Sequence, residues 1–124
     1  MDLPANQYRI VYLDFERLKL KLSTLNASQR ERLWKTFATD IEQFGPRLIQ
    51  TKKATRINSD LIEYRYRAHP DVLVRLFFTF RETELVIVLA GYDKLRDPHL
   101  KRQRYEIEAA NNLLAALDSN YGMY

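Results

Sequence analysis

Arg65, Arg67 and Arg75, then Lys94 and Arg96, then Lys101 and Arg102, spread a series of cations over the second half of the chain. Guanidinium groups present planar donors that match phosphate oxygens, and ammonium groups add compact point charge. Residues of this kind suit an anionic partner, RNA foremost. Tyr92 stands where an apolar run enters the basic loop at Lys94. There it can stack on a base, as aromatic rings do on single-stranded RNA, or pack at a sheet edge. His99 lies near Lys94 and offers a group for proton transfer, with an ordinary exposed histidine as the plainer reading; His69, before Pro70 in a turn, carries less.

Other chemistries find few residues to work with. The 124-residue chain has no cysteine and two histidines, which excludes a disulfide framework, a cysteine-ligated zinc site and a thiol nucleophile. Glu31, Asp40 and Glu42 do not make a metal cluster, because their directions on a helix diverge. No metal or other cofactor is expected. There is no glycine-rich phosphate loop, no G-x-S-x-G elbow and no H-E-x-x-H. The first residues resemble no signal peptide, and no apolar run approaches the ~20 residues of a membrane span, so the cytoplasm is the expected address. A net charge of +4 is modestly basic, which makes the placement of the cations matter more than their number.

The elements that position them can be read from period and punctuation. Tyr8, Ile10 and Tyr12 alternate as an opening strand, and Asp14 follows as a helix cap. Leu18, Leu22 and Leu25 predict a first helix, although Leu18–Leu22 also alternates as a strand would. Ser28 and Glu31 form a capping-box pattern for a second helix, whose stripe of Leu33, Trp34, Phe37, Ala38, Ile41 and Phe44 faces a core before Gly45-Pro46 stops it. Residues 47–60 form a basic connection with Lys52, Lys53 and Arg56, room for a short strand, and a turn at Asn58-Ser59-Asp60. Three strands follow over 61–67, 72–80 and 84–92 as an antiparallel meander. Asp97-Pro98 then predicts a helix start, and Ile107, Ala110, Leu114 and Leu117 mark a final amphipathic helix with a fraying tail. The expectation is one α+β domain over 1–124, ordered β-α-α-β-β-β-α, with an antiparallel sheet, the N-terminal helical pair on one face and a C-terminal helix.

Strand alternation places the arginines. Ile62, Tyr64 and Tyr66 share one face and leave Glu63, Arg65 and Arg67 on the other; Val74, Leu76, Phe78 and Phe80 oppose Arg75 and Phe77. Burying both apolar sets on the helices sets Arg65, Arg67 and Arg75 side by side on the outer surface, with Glu63 to neutralise one of them. Lys101, Arg102 and Arg104 add cations near the positive end of the last helix, a mismatch that a bound anion relieves and that Glu106, Glu108 or Asp97 can relieve instead.

In order and spacing, Leu61-Ile62-Glu63-Tyr64-Arg65, Val74-Arg75-Leu76-Phe77-Phe78, Val86 to Lys94, Pro98 and Ile107-Glu108-Ala109-Ala110 resemble the RelE/ParE toxin superfamily, nearest to its HigB-like branch. The resemblance implies the toxin half of a type II toxin–antitoxin pair: an endoribonuclease that cleaves messenger RNA on the ribosome and is silenced by a cognate antitoxin. That chemistry is attack of a ribose 2′-hydroxyl on the adjacent phosphate. By position, Arg65 and Arg75 would hold the scissile phosphate and Lys94 would stabilise charge or move a proton; Arg67, Tyr92, Arg96, Lys101 and Arg102, read from their own placement, are the candidates for binding RNA. A late tyrosine, Tyr105, Tyr121 or Tyr124, could lend a phenol. The sequence departs from the branch at Ala90, where histidine is common, and at Leu95, where a second lysine is common. ParE-like members on the same scaffold inhibit DNA gyrase without cutting RNA, and a catalytically inactive binding domain is a further alternative.

Overall fold

The structure, a computed structural model, describes residues 8–68, 70–82 and 84–121. The turn residue His69, the side chain of Tyr121 and the tail residue Tyr124 lie outside the described residues. The elements are β1 (Arg9–Tyr12), α1 (Phe15–Lys21), α2 (Ala27–Phe44), a 3-10 turn (Gly45–Gln50), β2 (Ala54–Arg56), β3 (Ile62–Ala68), β4 (Val72–Arg81), β5 (Leu85–Asp93) and α3 (Leu100–Tyr121). They build the expected α+β fold around one five-stranded sheet, ordered β1-β5-β4-β3-β2. The sheet is mixed: β2 to β5 pair antiparallel, and β1 joins β5 in parallel, Arg9 beside Leu85 and Tyr12 beside Val88.

Local chemistry explains the helix ends. The Asp14 side chain caps α1 by accepting from the Arg17 amide at 3.1 Å. The capping box of α2 is Asn26 with Gln29, each side chain bonded to the other's amide at 2.8 Å, and not the Ser28–Glu31 pair that the sequence also offers. Both pairs have the right spacing, and the helix takes the earlier one, gaining two residues. Gly45, at φ 53°, ends α2 in a conformation that side chains resist. α3 starts at Leu100 and not at Pro98, because the Asp97 carboxylate is used elsewhere, accepting from the Arg102 side chain at 3.1 Å.

The helices take opposite faces of the sheet. α1 and α2 cover one, where Leu18, Leu22, Leu33, Phe37 and Ile41 pack on Ile62, Tyr64, Leu76, Phe78 and Val88. α3 covers the other, with Ala110 and Leu114 against Phe77, Ile87, Leu89 and Ala90. A bulge in β5 makes this possible: Phe77 pairs with Ala90 but Phe78 pairs with Val88, so Leu89 is the extra residue. The alternation of β5 is reset there, and Tyr92 comes onto the α3 face. Gly91 permits the close approach on the opposite side, since a Cβ would lie 2.8 Å from Leu76 and 2.9 Å from Leu18.

Candidate functional site

Strand register assembles the site in rows. Across β3, β4 and β5, Glu63, Phe77 and Ala90 make one row, and Arg65, Arg75 and Tyr92 the next. Arg67 pairs with Leu73, whose carbonyl accepts the Lys94 amide at 2.9 Å. The three arginines foreseen on one face are therefore neighbours, and Lys94 enters the row of Arg67 through its backbone.

Arg65 is tightly held. Its Nε and Nη2 donate to the Lys52 carbonyl at 3.1 and 2.7 Å, and its Nη1 donates to Thr55 Oγ1. Arg75, directly across, is nearly enclosed and not on an outer surface, because α3 packs on this face of the sheet, and its buried Nε has no hydrogen-bond partner. Desolvation pulls its pKa below the ordinary value, while the Glu63 carboxylate pushes it back up. Glu63 is buried beneath both, with Oε1 3.6 Å from Arg65 Nη1 and from Arg75 Nε, longer than a hydrogen bond. It serves both arginines, where the sequence reading gave it one.

Beyond the short β2, the edge of β3 opens into a groove of about 420 Å³ lined by Lys52, Lys53, Arg65, Arg67, Arg75 and Tyr66. A more apolar pocket of about 300 Å³ between α1 and α3 holds none of the site residues read from the sequence, whereas the groove at β3 holds Arg65, Arg67 and Arg75. Lys52 and Lys53 were visible only as part of a basic connection; what brings them to Arg65 is a β2 only three residues long.

The remaining candidates separate from this cluster. Tyr92 is buried, with its ring stacked on Phe77 at 6.3 Å and under the Arg102 guanidinium at 5.5 Å. Packing, and not an exposed platform for a base, is its place. Arg102 donates to Glu106 at 2.9 Å and to Asp97 at 3.1 Å, which realises the pairing alternative for this cation. Lys101 and His99 line a separate open hollow with Tyr105, and Arg96 is exposed on the preceding turn. Glu106 is fully buried and accepts from Lys21 Nζ at 2.8 Å as well as from Arg102, a clasp between α1 and α3. Among the described residues no group of three or more metal-ligating side chains converges, and no helix is long and apolar enough to cross a membrane.

Compared with known families, residues 21–115, from the end of α1 into the second half of α3, match the phage-derived Gp49-like proteins (DUF891). The chain belongs to the Gp49-like family. That family lies within the RelE/toxin-like group, so the broader resemblance seen in the strands holds and extends back through α2. No curated protein and no solved structure matches the chain. In this Gp49-like fold the basic groove runs along the edge of β3, with Arg65, Arg67 and Arg75 at its wall and Thr36 and Asp40 of α2 beside it.

Proposed function

We propose that this Gp49-like chain is a single-domain, HigB-like toxin of a type II toxin–antitoxin system. It acts in the cytoplasm as a metal-independent endoribonuclease on ribosome-bound messenger RNA, and a cognate antitoxin silences it. The observation that carries the reading is the cross-strand pair Arg65–Arg75, in one groove with Arg67 and Lys52 and served by a single buried carboxylate. In the reaction the ribose 2′-oxygen gives its proton to a base and bonds to the adjacent phosphorus, while the bond from phosphorus to the 5′-oxygen breaks and that oxygen takes up a proton, leaving a 2′,3′-cyclic phosphate and a 5′-hydroxyl. Arg65 and Arg75 hold the phosphate oxygens, and Lys94 stabilises the negative charge or moves a proton. Arg67, Lys52 and Arg96 bind the flanking phosphates, with Lys101 further along.

One observation favours a second reading. Arg65 already spends donors on the Lys52 carbonyl and Thr55, which suits a surface that binds without cutting, such as a ParE-like inhibitor of gyrase. Induced expression with transcript ends mapped in the same cells separates the two. Growth arrest with new messenger ends, reduced about a hundredfold or more in Arg75→Ala/Lys94→Ala, is expected. Arrest with intact messages and damaged DNA would give the gyrase reading.

A further inference from the structure

A carboxylate beneath an arginine pair weakens a phosphate site by charge and improves it by geometry. Glu63 occupies that position, 4% exposed. Oε1 faces Arg65 Nη1 and Arg75 Nε, each at 3.6 Å, while Oε2 accepts a 2.6 Å hydrogen bond from Gln103 Nε2 on α3. With Oε2 hydrogen-bonded, Oε1 set between two guanidinium groups and the residue buried, Glu63 is poorly placed to take a proton from an incoming ribose.

Its use is to hold the arginines. Like charges directly opposed across two strands repel, and Arg65 and Arg75 are so opposed. Arg65 has further anchors in Lys52 and Thr55. For Arg75, 12% exposed, Glu63 is the carboxylate within ion-pair distance among the described residues. Gln103 stands one turn into α3, beside Arg102, so the carboxylate that sets the arginines is itself set by the helix.

We propose that Glu63 is a positioning residue for the arginine pair, tied to α3 through Gln103, which gives up part of the site's phosphate affinity for a fixed aim of the two guanidinium groups. The inference rests on the RNA-cleavage reading for its substrate, but the positioning itself can be observed without RNA.

Glu63→Gln keeps the shape, leaves Gln103 an acceptor and removes the charge. Three measurements on purified protein decide. In Glu63→Gln the Nε–H NMR signals of Arg65 and Arg75 move toward those of solvent-exposed arginines. Affinity for a short RNA blocked by 2′-O-methyl groups rises several-fold at low salt, with the log–log salt slope steeper by about 0.7, one more phosphate neutralised on a single strand. Cleavage of unmodified message at saturation on ribosomes falls about tenfold to a hundredfold, the size expected for a misplaced reacting group. A merely structural role cannot move affinity and rate in opposite directions, because partial unfolding lowers both. Gln103→Ala keeps the charge and cuts the anchor, so cleavage falls while affinity holds; it carries the test if Glu63→Gln does not fold. Unchanged arginine signals in the folded variants, or affinity and rate falling together, overturn the proposal. If the arginine signals move but wild type neither binds nor cuts RNA, the positioning stands and the RNA reading fails. If wild type and both variants cut RNA equally, the positioning alone fails.

Discussion

The two faces of the sheet treat polar groups differently. On the α1/α2 face the buried Asp40 carboxylate is satisfied by the Tyr64 hydroxyl at 2.6 Å and Lys53 Nζ at 2.8 Å, amid edge-to-face rings of Phe37, Tyr64 and Phe78. On the α3 face, Glu63 and Glu106 are both buried, and both buried polar atoms left unpartnered among the described residues, Arg75 Nε and Tyr92 Oη, lie there. Native interiors pair nearly all such atoms, and the exceptions gather where a site needs them. Most of the stability is expected from the first face, while the proposed chemistry centres on the arginines of the second, in a groove that Asp40, Tyr64 and Lys53 of the first also line.

The sharpest way to break that assignment is at Phe37, fully buried, 4.9 Å from the Tyr64 ring and 5.3 Å from that of Phe78. Phe37→Ala should cost about 3–5 kcal/mol in urea unfolding, the lost transfer energy plus the cavity. Where the variant remains folded, cleavage per folded molecule should match wild type. A large rate defect with little loss of stability would mean that the first face also tunes the site.

Glu106 tests the other side. Removing it in Glu106→Ala leaves Lys21 and Arg102 facing each other between α1 and α3 without their shared carboxylate. Their side chains keep 17% and 31% exposure, so solvent can partly repay the loss. The expected cost is about 2–3 kcal/mol by urea midpoint, below the roughly 3–5 kcal/mol of a fully buried pair broken on one side. A loss as large as that of Phe37→Ala would make the two faces energetic equals.

How much of this was legible depended on whether one strand or helix decided the matter. The stripe of α2 has a single period, so Leu33, Phe37 and Ile41 were readable as core, and the caps at Asp14 and Gly45 follow from residue type. That Arg65, Arg67 and Arg75 share one face followed because any register of β3 and β4 that buries both apolar sets keeps the faces in step; which arginine stands opposite which did not. What escaped needs a partner strand to define it. Val86 to Ala90 is apolar throughout, so nothing in its pattern marks Leu89 as the bulged residue that turns Tyr92 toward Arg75. The parallel docking of β1 on β5, the three-residue β2 that delivers Lys52, and Gln103 as the holder of Glu63 likewise arise only when distant segments meet. The start of α3 slipped because Asp97 has two uses, cap and ion-pair partner, and local pattern cannot choose between them.

The smallest expected effect makes the finest test of the comparison. Tyr92 is 1% exposed and its hydroxyl has no partner, so Tyr92→Phe removes an unsatisfied polar group while keeping the ring on Phe77. Stability at neutral pH should rise by about 1 kcal/mol, the low end of the penalty for an unpaired buried group. Burial first, and the Glu63 carboxylate next, push the Tyr92 phenol up to about 12. The folded chain therefore holds this proton more tightly than the unfolded chain, whose tyrosines titrate near ~10. The associated stability is complete below pH ~10 and is lost as pH rises through about 12. Tyr12, also raised to about 12 by burial, titrates in both proteins, so the difference between them isolates Tyr92. Urea midpoints should run parallel from pH 7 to 9, with the phenylalanine variant higher, and diverge further above pH ~10 as wild type falls faster. A midpoint lower in Tyr92→Phe would mean that the hydroxyl is bonded after all, and that the α3 face satisfies its polar groups as fully as the face of Phe37 does.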